Sequence, residues 1–210
     1  MAGQITARRR ASVLIMALRF EPDLHCAAWF ADQRDVDCDG PAGFESYVRI
    51  GHSDDDEGRL SPEMLARLVE ILAGFTTTPA ECHFGLWEGF GDIYGSPSVA
   101  LFGISTGDAL DSPPPHVSPA FPRAVMNGPR LNLGRLSYLV FSGPLAQAGD
   151  WGAADYPRGW GSRTINSPNL MWPADRAWFV ATEIDTTWTV VAGTRGLAAA
   201  LREDPLLRAK

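Results

Sequence analysis

The feature that most constrains this chain is the run from Ser167 to Gly193, SPNLMWPADRAWFVATEIDTTWTVVAG, which holds three of the seven tryptophans and the clearest apolar alternation in the sequence. From Arg176 to Ile184, Ala177, Phe179, Ala181 and Glu183 fall on one side, and Trp178, Val180, Thr182 and Ile184 on the other. A period of two carried by aromatic and β-branched side chains is the pattern of a strand. Asp185-Thr186-Thr187 reads as a turn and Trp188 to Val191 as the return strand of a hairpin. Aspartate suits the turn because its short side chain bonds nearby backbone amides, and Gly193 lets the chain change direction. Thr194 is the expected N-cap of a closing helix with Leu197, Leu201 and Leu206 on its buried side.

Other elements follow the same logic. Phe44 to Ile50 and Glu81 to Trp87 alternate and read as strands, and Leu131 to Phe141 reads as another. Ser61 and Pro62 open a helix whose apolar face is Met64, Leu65, Leu68, Val69, Ile71 and Leu72, with Gly74 closing it. Ser12 to Phe20 is a short buried element of either type. Ser96 to Arg130, with seven prolines, reads as a long loop with one short strand near Val99 to Ile104. The expected fold is α+β: a single domain over residues 1–210, with a central, mostly antiparallel sheet, helices packed on one side and long Pro/Gly-rich loops.

Charge and cysteine usage narrow the setting. A formal charge of −7 argues against a general nucleic-acid binder, which needs a net basic face. No stretch approaches the ~20 apolar residues of a membrane-spanning helix. The arginines before Ala11 to Leu18 imitate a signal peptide, but Arg19 follows without a small-residue cleavage site. Cys26, Cys38 and Cys82 are too few for a secreted disulfide scaffold, so a reduced, cytoplasmic setting is expected. One lysine among the basic residues, the rest being arginine, suggests a high-GC, actinobacterial source.

Motifs of established chemistry are missing. His25-Cys26, Cys38 and Cys82-His83 lack the paired spacing of a zinc site, and Asp32, Asp35, Asp37 and Asp39 lack the glycine and glutamate of a calcium loop, so no metal and no cofactor are expected. There is no G-x-S-x-G elbow and no phosphate-binding glycine loop. Two arrangements remain. Glu88 beside Trp87, with Tyr94 on the same glycine-rich turn, faces Glu183 across a cleft if the strands bearing Trp87 and Trp178 are neighbours, and a carboxylate beside an indole suits acid catalysis on sugars. Trp172, Asp175 and Arg176 form the second group, whose plain structural reading is a turn locked by an Asp–Arg contact. For the glutamates the plain reading is that Glu88 caps a turn and Glu183 pairs with Arg176 or Arg195.

Three segments, GFESYVRIGH (Gly43 to His52), TTTPAECHFGLWEGFG (Thr76 to Gly91) and the Ser167 to Gly193 run, resemble a family of actinobacterial proteins of about this length that has no assigned reaction. In that family a longer tryptophan-containing insertion follows the Tyr-x-Arg-Ile-x-His segment, where this chain has the acidic loop Asp54 to Glu57. The resemblance covers about half the chain and implies a fold without catalytic roles. The order hairpin then helix at the C-terminus is similar to SUKH modules, which include toxin-immunity and protein-binding proteins.

Two functions are therefore expected. The first is a non-catalytic protein-binding module of the immunity-like kind, whose acidic surface meets a partner with a basic face and whose tryptophan-bearing loops anchor it. The alternative is a small-molecule hydrolase using Glu88, Glu183 or His83 in an aromatic-lined cleft. Trp87, Glu88, Tyr94, Trp172, Asp175, Arg176 and Glu183 are the candidate site residues of either.

Overall fold

The alternating runs are realised as one open sheet in the computed structural model, which describes residues 18–53, 56–95, 117–156, 163 and 165–210. In chain order the described residues form β1 (Arg19–Phe20), α1 (Val36–Asp39), β2 (Ser46–Gly51), α2 (Pro62–Ala73), β3 (Cys82–Trp87), α3 (Gly91–Tyr94), α4 (Arg123–Met126), β4 (Leu131–Leu133), β5 (Leu136–Gly143), β6 (Leu170–Pro173), β7 (Phe179–Thr182), β8 (Trp188–Gly193) and α5 (Arg195–Glu203). The strand order is β1-β5-β3-β6-β7-β8-β2, with β4 also on β5, and every pairing is antiparallel. This is the α+β architecture expected from the sequence.

The alternation in β7 sorts its side chains between two cores. Trp178 and Val180 face the layer made by α2 and α5, where Leu68, Leu72, Leu197 and Leu201 meet Phe84 and Phe141. Phe179 and Ala181 face the other way, against Ala27, Phe30 and Val36 of the N-terminal segment. Both longer helices therefore lie on one face, and single-turn segments cover the other. Each helix begins as its sequence dictates. Ser61 Oγ accepts from the Met64 amide at 3.3 Å and Thr194 Oγ1 from the Leu197 amide at 3.2 Å, satisfying amides that a helix start leaves without partners.

Several local expectations are corrected. Leu131 to Phe141 is a hairpin, with Leu133 opposite Leu136 and Gly134 turning at φ +55°. Leu206 is not on the buried side of the last helix, which ends at Glu203; it is 37% exposed, and Leu207 is buried in its place. Strand β6, centred on Trp172, precedes the one expected from Arg176, so the turn falls between two strands. In that turn Asp175 does not bond Arg176. It accepts from Thr76 Oγ1 (2.8 Å), Thr77 N (2.7 Å), Thr77 Oγ1 (2.8 Å) and Ala177 N (3.1 Å). The connector Thr76 to Thr78 thus fits Asp175 as a lock fits a key, because its amide and hydroxyls replace the water a carboxylate needs. Residues 12–17 of the expected N-terminal element and the strand at Val99 to Ile104 lie outside the described residues, as do positions 96–116 of the long loop. Among the described residues no helix is long and apolar enough to cross a membrane.

Candidate functional site

The residues singled out from the sequence do not converge on one point. Glu88 continues the parity of Phe84 and Leu86 toward the helical layer, where it accepts from Arg130 Nε at 2.7 Å and Tyr94 Oη at 3.3 Å. Arg130 spends its remaining donors on the carbonyls of Val125, Met126 and Gly128 at the end of α4, so Glu88 anchors a loop. Trp87 points to the opposite face, and a side chain at Gly89 would strike its indole at 2.1 Å, which explains the glycine. Glu183 continues the parity of Phe179 and Ala181 on that same opposite face. Burial, then Asp185, Asp37 and Glu57, push its carboxyl above the ordinary range. Trp172 is buried and stacks on His83 at 5.4 Å, while Arg176 lies 5.4 Å over the Trp29 ring. Glu88 and Glu183 are therefore on opposite faces of the sheet, and His83 is at the far end of Glu183's face. The hydrolase arrangement has no shared point of attack among the described residues.

Tryptophan anchors fare no better as a surface. Trp151, Trp172 and Trp178 are buried, and Trp29, Trp87 and Trp188 are half-buried. The large apolar side chains that are exposed among the described residues are Tyr47, Tyr94 and Leu206, and two of these border the concave ground along β2.

That ground is built from the edge strand outward. In β2, Val48 and Ile50 are buried while Tyr47 and Arg49 point out, so the strand presents alternate polar and aromatic groups beside β8. A groove of about 810 Å³ is lined by Tyr47, Arg49, Val190, Arg34, Asp39 and Lys210 among others. A second, of about 450 Å³, continues from Arg49 and Lys210 past Trp188 and His52 to Leu206 and Arg208. Both volumes lie in the range that holds small ligands or peptide side chains. Arg34, Arg49, Arg208 and Lys210 line the pair of grooves, against one carboxylate, Asp39. Arg49 bonds Asp39 at 3.2 Å and lies 5.2 Å over the Trp188 ring, while the side chains of Arg34 and Lys210 have no partner among the described residues.

The C-terminal wall is fixed by a buried carboxylate. Asp204 accepts from the Leu206 and Leu207 amides, both at 3.0 Å, and from Arg67 Nε at 2.7 Å. Burial alone raises such a carboxyl, but the bonds from Arg67, Leu207 and Leu206 prevail and hold it below its ordinary value. The turn delivers Lys210 to Arg49, with which it exchanges two backbone bonds of 3.0 and 2.9 Å.

At the other end of β2, His52 closes a chain of hydroxyls. Its Nδ1 donates to the Asp56 carbonyl at 3.3 Å, which leaves Nε2 to accept from Thr189 Oγ1 at 2.7 Å; Thr189 in turn accepts from Thr182 Oγ1 at 2.7 Å. Burial lowers the His52 pKa, and burial lowers that of His83 as well. Because the folded pKa lies below the ordinary 6.5, the unfolded chain binds more protons than the folded one below that pH. These two groups therefore stabilise the fold fully above pH 6.5 and progressively less as the pH falls. Glu183 and Asp37, whose carboxyls burial raises, act in the opposite sense. The histidine part is isolated by urea titrations from pH 8 to pH 5 of the wild type and a His52→Gln/His83→Phe variant: the gap in stability between them narrows toward acid. A gap independent of pH excludes these histidines as the source.

The thiols are poor nucleophiles. Burial and neighbouring carboxylates push Cys26 and Cys38 up to about 11 and Cys82 up to about 12, and all three are free. Among the described residues no group of three or more histidine, cysteine, aspartate or glutamate side chains is placed to hold a metal ion. The cationic groove was not singled out from the sequence, because its charges come from positions 34, 49, 208 and 210 on a chain that is acidic overall. The one signal was the outward parity of Tyr47 and Arg49. The chain matches no family model, no curated protein and no solved structure.

Proposed function

We propose that this chain is a non-catalytic binding module that recognises an anionic group of its partner in the cationic groove along β2. The observation that carries the reading is the local inversion of charge: four cations face two adjoining grooves on a chain of net charge −7, and two of them have no partner among the described residues. An arginine over an indole is restrained without losing its outer donors, and a guanidinium fork suits carboxylate or phosphate oxygens. The acidic remainder of the surface, including exposed Asp32 and Asp35, repels anions elsewhere and so directs them to this ground. Protein binding of the immunity-like kind accords with the rigid sheet that backs the groove, since a binding surface held by a two-sided core needs little ordering on association.

Isothermal titration with citrate and with inorganic pyrophosphate tests the reading. At least one of them binds saturably, more weakly as salt rises, and at least about tenfold more weakly to an Arg34→Gln/Arg49→Gln/Lys210→Gln variant, a loss equal to roughly 1.4 kcal/mol. Undiminished binding by the triple variant, or no binding of either anion by the wild type, overturns it.

A further inference from the structure

The pairing along the outer rim of β2 narrows the partner. Ser46, Val48 and Ile50 lie opposite Gly193, Val191 and Thr189, and the His52 amide donates to Thr187 O at 2.7 Å, so the even-numbered residues carry the bonds to β8. By antiparallel alternation the backbone groups of Tyr47, Arg49 and Gly51 point outward. Arg49 exchanges its two with Lys210, while those of Tyr47 and Gly51 have no partner among the described residues. Such a row is a template for another strand. The present occupant fits badly. Residues directly opposite on an antiparallel pair project to the same face, which puts the cationic side chains of Lys210 and Arg49 on one face, and both line the same two grooves. Like charges at such a pair are destabilising.

Resting on the reading of the groove as an anion site, we infer that the partner is an extended acidic polypeptide segment that displaces Lys210 and adds to β2 as an antiparallel strand, with a carboxylate side chain opposite each of Tyr47, Arg49 and Gly51. One residue pair is exchanged for three. A segment with acidic residues at every second position places all of them on the face that holds Arg34 and Arg49, and its intervening side chains on the other. Main-chain bonds supply affinity and the alternate charges supply register, as in other cases of strand addition.

The probe is an acetylated, amidated pentapeptide, Glu-Thr-Glu-Thr-Glu, titrated into the full chain. Its glutamate amides face β2 and its threonine amides face away. Methylating the glutamate nitrogens is expected to weaken binding at least about tenfold, whereas methylating the threonine nitrogens changes it by no more than about twofold. Lys210→Pro, which removes the competing amide, is expected to tighten binding several-fold although it deletes a cation.

If both methylated peptides bind alike and Lys210→Pro binds more weakly, the groove takes anions without strand addition: the inference falls and the proposed function stands. The same holds if citrate or pyrophosphate binds and the peptide does not. If none of the three binds, both fall. If sedimentation shows a dimer that Tyr47→Pro dissociates, the edge belongs to a second copy of this chain and the inference falls.

Discussion

Replacing Trp178 with alanine is expected to cost about 3–5 kcal/mol of folding free energy, the largest loss from any single substitution considered in this chain. Trp178 is fully buried, and its indole fills the space between β7 and the helical layer, in the same core as Leu72, Leu197 and Leu201. It also donates from Nε1 to the Leu72 carbonyl at 3.2 Å, near the end of α2, where that carbonyl accepts from the Phe75 amide as well. The two contributions separate by substitution. Trp178→Phe keeps most of the apolar area and leaves the carbonyl its bond from the Phe75 amide at 3.0 Å, so it should lose about 1–2 kcal/mol, less than half the alanine effect. Denaturant titration at neutral pH reads both. A Trp178→Ala variant within about 1 kcal/mol of the wild type would remove β7 from the centre of the core, since domains of this size retain only about 5–15 kcal/mol in total.

That residue also shows how much of the fold was legible beforehand. Alternation assigned Trp178 and Val180 one face and Phe179 and Ala181 the other, and those faces are the two cores seen in the structure; Ala177, expected beside Phe179, packs with the Trp178 core instead. Capping chemistry at Ser61 and Thr194 located the starts of both longer helices. Order within the sheet was not legible, because a period of two says which way a side chain points and nothing about the neighbouring strand. The split of Leu131 to Phe141 into a hairpin was hidden by a continuous apolar run, in which Gly134 was the one sign of a turn. Leu206 misled because the helical spacing continues past the real end of the helix, where Asp204 leaves helical geometry and caps the following turn through its side chain.

The site was less legible for a related reason. Trp87, Glu88, Trp172 and Glu183 are conspicuous residues, yet conspicuous aromatics in a two-faced sheet are mostly filling. Arg130 lies 42 positions from Glu88, and no local pattern announces their contact. The cationic groove needs three separate pieces of chain at one sheet edge, the loop carrying Arg34, strand β2 and the turn after α5, and it exists because β2 pairs outermost. Net charge pointed the other way, since a total of −7 is silent about how the cations are distributed.

Asn169 carries the second large expectation and links these observations. It is fully buried just before β6, where one amide side chain serves three separate segments. Its Oδ1 accepts from the Trp87 amide at 3.0 Å, and its Nδ2 donates to the Thr182 carbonyl at 3.1 Å and the Gly58 carbonyl at 3.4 Å. Those bonds hold the ends of β3 and β7 and the loop after His52 at one spacing. Asn169→Ala leaves three backbone groups without partners in the interior and should cost about 3 kcal/mol, each orphaned group contributing about 1–3 before water or relaxation offsets part of it. Asn169→Asp distinguishes lost bonds from lost packing. An ionised carboxylate there faces two carbonyl oxygens, so the folded state favours its protonated form and raises its pKa. Stability of that variant is then greatest in acid and is lost as the pH rises above about 4, the ordinary aspartate value, toward neutrality. Asn169→Ala has no such group and follows the wild-type pH profile at a constant offset. Urea midpoints between pH 4 and pH 8 decide the matter: parallel profiles for the aspartate and alanine variants would mean that the amide makes none of these bonds and that the three segments meet by packing alone.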